Sequence, residues 1–512
     1  MTQDAQGPDA NRSTSDNMVA KSAGLAFLGK LGAVIEPVGV IIFANLYGAA
    51  TLGVFMLFWG YVMISTGASD LAMSTALQRF VPSTRDEDRI HAVLKASLLI
   101  SGVLSLLFAI ILTVLAPWLA EYVNAAPEVS KDLPTIIAIY AWAIPLWCYI
   151  EVSTAAVRAR HAFGPEVKVR IFYEQGLRII SGVLFFFIGL ADYGLFLSHL
   201  LALFVACILS TRLLGQHYDL KRLWATRVSP ELFRELVQFG SPMTGANVMK
   251  RFHSNFPIFV LNFIIPGAAG AIAVAVFAVA RKVVSALQVI RQSFEYVIAP
   301  LASAENALSG KAALRDMYAF STRLIWSLFM PAGALVVALR HDIASLVGPT
   351  FAGAGVLIAI LSLGRAVEAA TGPSQALQEM LTRSRVSLVN GLIGFAVTAL
   401  MMLWMTPHWG SVGAAIATAI GINVPSLLSL QQINKLYGLQ PYDRRLIRPA
   451  IWSFSGAAMI FIAVAIVGSA SIAIRMGVGA TAFFAAYILL LRFGFSDRDA
   501  AVFGKFARWI RN

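Results

Sequence analysis

Charge is scarce in this chain of 512 residues. Only 13% are Asp, Glu, Lys or Arg, whereas 58% are hydrophobic; soluble domains carry about 25% charged residues. A soluble fold of this length could not hide so much apolar surface from water, but a bilayer accepts it where apolar residues come in runs of about 20. Cysteine is scarce too. Cys148 and Cys207 both lie inside apolar runs, so neither a disulfide framework nor a metal-ligand spacing is present. A phosphate-binding loop, a nucleophile elbow and a zinc motif are equally missing, and no cofactor or metal is expected. Residues 1–20 hold little apolar content and read as a disordered tail. They lack the basic start and cleavage site of a signal peptide, so the first span is expected to serve as an uncleaved insertion signal.

Long apolar runs occupy the rest. They place helices at about 22–46, 52–76, 96–119, 134–157, 171–190, 193–213, 236–264, 270–298, 318–340, 352–376, 386–406, 411–434, 449–468 and 472–492. The runs are continuously apolar rather than alternating, which favours helices over a barrel. The fold class expected is an all-α membrane protein of about 14 transmembrane helices.

The net charge of +13 would suit nucleic acid, but its distribution suits membrane topology better. Alternate loops hold Arg79, Arg85, Arg89 and Lys95, then Arg158, Arg160, Lys168 and Arg170, then Arg212, Lys221, Arg222, Arg227 and Arg234. Further along come Lys311 and Arg315, Arg383 and Arg385, and Lys435 with Arg444, Arg445 and Arg448. The opposite loops hold only Lys131, Arg340 and Arg475. Both termini are therefore expected in the cytoplasm, and no nucleic-acid partner is expected. Merging 171–213 into one span would invert every later loop and destroy the pattern. The outward loops are short; residues 120–133, the longest, leave no room for a folded domain.

An internal repeat runs through the spans. Tyr47-Gly48-Ala49-Ala50 matches Pro266-Gly267-Ala268-Ala269 at an offset of 219 residues, and Gly194 matches Gly413 at the same offset. Asn45 and Asn262, and Pro82 and Pro300, keep nearly that spacing. An even number of spans per repeat gives parallel units related by an axis along the membrane normal. The organisation expected is a tail at 1–20, a six-helix lobe at 21–217, a second at 218–435, two added spans at 436–492 and a basic cytoplasmic tail at 493–512.

A charge at mid-membrane costs about 2.5–3.5 kcal/mol on insertion scales. Snorkelling to the headgroups is expected for Arg323, Lys30 and Arg178. It does not account for Glu36, Lys250, Arg251, Arg281, Lys282 or Arg365, which sit near the middle of their spans. Polar stripes accompany these residues: Thr244, Asn247, Arg251 and Ser254 in the seventh span, and Arg281, Ser285, Gln288, Gln292 and Glu295 in the eighth. Arg365, Glu368 and Gln375 line the tenth, and Thr66, Asp70 and Ser74 the second. Such stripes face protein or a wet cavity. Buried ion pairs explain part of them, Arg365 with Glu368 above all. The surplus of Lys250, Arg251, Arg281, Lys282 and Arg291 over the single acid Glu295 in spans seven and eight points instead to a hydrated cavity that receives an anion.

Residues 43–83, FANLYGAATLGVFMLFWGYVMISTGASDLAMSTALQRFVPS, resemble the first two spans of polysaccharide biosynthesis proteins. These form the O-antigen flippase (Wzx-type) branch of the multidrug/oligosaccharidyl-lipid/polysaccharide exporter superfamily. Gly48, Gly53, Asp70 and Arg79 carry the pattern, and residues 268–303 resemble the family's eighth span. The family's acidic-basic pair late in the seventh span is replaced by Asn255-Phe256, with the cations earlier at Lys250 and Arg251. The resemblance implies a bacterial inner-membrane flippase built as a V-shaped pair of lobes. Its expected cargo is a polyprenyl-diphosphate-linked oligosaccharide, moved by alternating access for surface polysaccharide or lipopolysaccharide assembly. Partners would be that lipid-linked sugar, membrane lipid, a coupling ion (proton or sodium) and polysaccharide assembly proteins.

The substrate-binding residues expected are Lys250, Arg251, Arg281, Lys282, Arg365, Asn247 and Gln288, with Glu36 and Asp70 as candidates for ion coupling. Three other readings stand beside this one. A multidrug or organic-cation antiporter would present acids to its cargo. A lipid II flippase is not separable on sequence. A membrane polymerase or transferase would need a large outer loop or a catalytic constellation, of which only His341-Asp342 offers a trace.

Overall fold

The computed structural model describes residues 35–160, 166, 168–190, 193–308, 310–381 and 384–511, and among these no strand occurs. Helix α1 (Ile35–Ser69) carries a non-helical break at Gly48. A turn at residues 70–72 separates it from α2 (Met73–Phe80). There follow α3 (Glu87–Ala120), α4 (Leu133–Tyr140), α5 (Ala143–Ala159), α6 (Glu174–Phe187), α7 (Gly194–His217) and α8 (Pro230–Ile264). Helix α9 (Gly267–Leu308) leads to α10 (Gly310–Ala338), α11 (Ala354–Ala370) and α12 (Ser374–Leu381). Helix α13 (Ser384–Tyr437) breaks at Gly410, and α14 (Ile447–Ile466), α15 (Ile472–Leu489), α16 (Asp497–Ala501) and α17 (Gly504–Arg511) complete the chain.

Nine helices among the described residues are long and apolar enough to cross a membrane, and the bent pair α11–α12 raises this to ten. The expected fourteen is not reached on that measure, for physical reasons. Helix α1 passes Gly48, the expected loop between spans one and two, and α13 passes Gly410, the expected loop between spans eleven and twelve. Helix α6 has 14 residues, shorter than a full span. Helix α8 is diluted by Lys250, Arg251 and His253. The first expected span begins outside the described residues. The chain is a multi-pass, all-helical membrane protein.

The repeated loop has a backbone counterpart. Gly48 and Gly267 both adopt positive φ, at 79° and 61°, a region open to glycine at little steric cost. The two loop glycines, 219 residues apart, thus share a positive φ.

By internal contacts the chain divides into two compact units, with the boundary inside α9 at Ala278/Val279; Thr406–Ser411 groups with the first. Span seven, expected in the second lobe, belongs to the first unit. In that unit α7 packs on α5 and α6, α3 on α4 and α5, and α8 on α1. In the second, α10 packs on α11, α14 and α15, around a core of Phe320, Leu324, Ile325, Leu490 and Phe495.

Candidate functional site

In the first unit, Arg251 of α8 lies against α1. A Cβ at Gly67 would stand 2.6 Å from Arg251 Cδ, so the absence of a side chain there lets the arginine cross the helix. Its guanidinium donates to Glu151 Oε1 at 3.0 Å and Oε2 at 2.8 Å, and to the Met63 carbonyl at 3.1 Å. Arg170 approaches the same carboxylate at 3.7 Å. One nitrogen, Nη2, meets both carboxylate oxygens while Nη1 reaches the Met63 carbonyl, and such charge-assisted bonds are the strong ones. Glu151 is therefore the partner of a mid-span cation.

Asp70 is 5% exposed and accepts from the Ser74 backbone N–H at 3.3 Å and hydroxyl at 3.2 Å. It closes the break between α1 and α2, where Leu71 and Ala72 hold φ of 48° and 55°. Left-handed geometry costs about 1–2 kcal/mol per non-glycine residue, so the surrounding packing must hold this break in place.

The stripe on α8 is open. Lys250 and Ser254 are exposed, and Asn247 and His253 are half-buried. A charge exposed at mid-span is costly against hydrocarbon and needs water or an anion beside it.

A cavity of about 480 Å³ also opens inside this unit, with Glu36, Trp59, Trp147, Arg170, Glu174 and His199 in its wall. His199 is fully buried and Glu174 is 4% exposed. His199 Nδ1 lies 2.7 Å from the Tyr140 hydroxyl, and Nε2 lies 3.4 Å from Glu174 Oε1. Arg178 approaches Glu174 at 3.8 Å. At the rim Glu166 pairs with Arg158 and Arg170. Burial raises the Glu166 carboxyl, but the two guanidinium groups outweigh it and hold it below the usual carboxylate range.

In the second unit, Arg365 of α11 donates to Glu368 at 2.5 Å. The Gln288 side-chain oxygen, oriented toward the guanidinium, accepts from Arg365 Nε at 2.8 Å. Arg291 of α9 pairs with Glu368 and with Glu295 at 2.8 Å. Arg281 and Lys282 are half-buried between two and three turns before Arg291 on α9.

Of the expected site residues, the structure gathers Gln288 and Arg365 into one cluster and sets Asn247, Lys250 and Arg251 on consecutive turns of α8. The remaining pair, Arg281 and Lys282, are adjacent on α9. The cation surplus counted along spans seven and eight shrinks in space, because Glu151 and Glu368 arrive from other helices. Snorkelling is corrected for two residues. Arg323 is 3% exposed and paired with Asp499 at 2.6 Å, and Arg178 is 8% exposed beside Glu174. Lys30 lies outside the described residues. Asp342, half of the trace of a catalytic pair, is buried against Arg475 at 3.2 Å. Sequence reasoning missed His199, a lone histidine in an apolar run; the only signal was that an ionisable residue inside a span needs a reason.

Comparison with known proteins adds the following. The model of a family described as polysaccharide biosynthesis protein matches residues 58–348. No curated protein sequence matches the chain. Among solved structures, the lipid II flippase MurJ in an inward closed conformation is similar, with a TM-score of 0.69 and 12% identity over 92% of this chain and 98% of that one. An inward-facing multidrug resistance MATE family transporter of the MOP superfamily gives a TM-score of 0.65 and 16% identity, covering 80% and 94%. A Vibrio cholerae MATE transporter in the bent form gives 0.57 and 14%, covering 83% and 98%. At these identities the likeness establishes the fold.

Proposed function

The chain belongs to the polysaccharide biosynthesis protein family, and from that we propose that it translocates a polyprenyl-diphosphate-linked oligosaccharide across the bacterial inner membrane. The sugar would enter surface polysaccharide or lipopolysaccharide (O-antigen) assembly, and movement would follow alternating access. The observation that carries the reading is the exposed Lys250, flanked by Asn247 and Ser254, on a helix of an apolar bundle. A diphosphate with attached sugars must cross about 30 Å of hydrocarbon. Leaving its hydration unreplaced would be prohibitive. A hydrated, basic, hydrogen-bonding face supplies that replacement.

Lys250 and Asn247 of the first unit contact the headgroup in this reading, and Arg281 and Lys282 are the candidate binding cations of the second unit. Arg251 and Arg365 keep their carboxylate partners and hold the surrounding polar surface in shape, Gln288 being bound to the latter. Both termini lie in the cytoplasm, and assembly proteins receive the product on the far side. The fold shared with a lipid II flippase makes lipid II a second cargo of the same chemistry. An organic-cation antiporter is disfavoured by the exposed ammonium.

Deleting the gene should leave the lipid-linked oligosaccharide trapped on the cytoplasmic leaflet and the cell surface bare, with complementation restoring both. An unchanged surface polysaccharide combined with arrested peptidoglycan synthesis would move the assignment to lipid II. No change in either, with altered dye efflux, would favour the antiporter.

A further inference from the structure

Four arginines gather at one membrane edge of the second unit. The span Arg444–Ile466 begins there and the span Ile472–Gly494 ends there. Arg444 and Arg445 lie in the short turn that leads into α14, Arg448 in the first turn of α14, and Arg492 in the turn that follows α15. All four are exposed. Two of them converge on Phe493: Arg448 Nε donates to its carbonyl at 2.6 Å, and Arg492 Cζ stands 5.6 Å from the centre of its ring. The neighbouring acid is turned elsewhere. Asp443 Oδ2 lies 3.5 Å from Arg323, and its Oδ1 accepts from the Leu446 backbone N–H at 3.1 Å. Among the described residues no carboxylate pairs with any of the four arginines.

Beside them α14 presents an apolar groove. Ile447, Ile451 and Phe454 recur at three- and four-residue spacing and so share one helix face; each is more than half exposed. With Tyr442, Leu446 and Ala450 they line a cavity of about 630 Å³. The Tyr442 hydroxyl donates to the Ala370 carbonyl at 3.1 Å, which fixes one wall of the groove close to the arginines.

These two features select one kind of occupant. Cations gathered without acids repel one another until an anion shares the site, and the planar guanidinium fork matches phosphate. The first turn of α14 has no side-chain cap and adds the positive end of a helix dipole. A choline or ethanolamine headgroup would bring another positive charge among them. Inorganic phosphate would leave the groove unfilled. We propose that this corner of the second unit binds one anionic phospholipid, with its phosphate among Arg444, Arg445, Arg448 and Arg492 and one acyl chain along Ile447, Ile451 and Phe454. The site stands whether or not the transport reading does.

The test uses the full chain in nanodiscs and no cargo movement. Emission of Phe454→Trp minus that of the parent reports the groove. A minor fraction of the lipid carries bromine on its acyl chains, on phosphatidylglycerol in one series and on phosphatidylcholine in the other. Bromine quenches an indole at contact, so quenching reads which lipid lies there. The apparent affinity for phosphatidylglycerol should exceed that for phosphatidylcholine by at least about fivefold, the worth of a single basic residue at an anionic surface. Adding Arg448→Ala and Arg492→Ala should erase the preference. Because Arg448 also holds the Phe493 carbonyl, a second pair keeps the test decisive: Arg444→Ala with Arg445→Ala removes no ion pair of the fold and should reduce the preference as well. Equal quenching by the two lipids without the arginine substitutions overturns the site, as does a preference unchanged by the Arg444→Ala, Arg445→Ala pair. Polyprenyl diphosphate that displaces the brominated phosphatidylglycerol at far lower concentration than unlabelled phosphatidylglycerol would overturn it too, by making the corner a cargo subsite.

Discussion

Arg251 meets a carboxylate supplied from 100 positions away, and its partner Glu151 is largely buried. Removing one member of such a pair leaves the other charge stranded, which costs about 3–5 kcal/mol in buried settings. Glu151→Gln is therefore expected to lower the thermal midpoint sharply, and the double variant Glu151→Gln with Arg251→Met to recover part of the loss, as read by thermal unfolding in detergent. Equal midpoints for the single variant and the parent would remove the pair from the account. Lys250 behaves oppositely. It is exposed, so Lys250→Ala should change stability by no more than about 0.5 kcal/mol while reducing surface polysaccharide. Arg281→Ala should likewise abolish export with the protein still in the membrane; normal surface polysaccharide in that variant removes Arg281 from the binding residues.

At the scale of elements, two features decide local order. The break after α1 is one: Ala72 holds a left-handed conformation with no glycine. Ala72→Gly should relieve about 1 kcal/mol of strain and raise the thermal midpoint, unless the gain in unfolded-chain entropy cancels it; a fall in midpoint beyond that offset would contradict the strain. The C-terminal segment is the other. Asp499, which also closes a capping box with Ser496, neutralises Arg323 at the heart of the second unit, and Ala507 and Ile510 of α17 join that unit's core. Truncation after Phe495 should depress membrane yield, and Arg323→Leu in the truncated chain should restore part of it. Undiminished yield on truncation would show the pairing to be dispensable.

These elements also show what was legible beforehand. The YGAA and PGAA loops announced their turns through composition, and Gly48 and Gly267 hold the positive φ that such turns need. The break between α1 and α2 was not legible, since Asp70 falls inside the helix expected at 52–76, on a stripe with Thr66 and Ser74. The partners of the buried cations left no trace in linear order. Glu368 lies 77 residues from Arg291, and Asp499 lies 176 from Arg323. Sequence spacing reports faces of one helix, whereas which helix covers that face is a property of the fold. His199 was hidden for the same reason, since only packing brings Tyr140, Trp59 and Glu174 around it.

For the whole molecule, the asymmetry of basic loops predicts cytoplasmic termini. Single cysteines placed in a background lacking Cys148 and Cys207 test it. Labels applied from outside the cell should reach position 124 and not position 227, and the reverse would invert the topology. The central claim is that this protein carries a lipid-linked sugar diphosphate across the bilayer, and the most direct measurement is leaflet exchange in proteoliposomes. A polyprenyl-diphosphate oligosaccharide is loaded into both leaflets, and its exposure to an added glycosidase is followed in time. With the parent protein the protected half should become accessible, at a rate much reduced in Lys250→Ala and Arg281→Ala. Cargo that stays protected in the presence of folded parent protein, under both a pH gradient and a sodium gradient, would contradict the account.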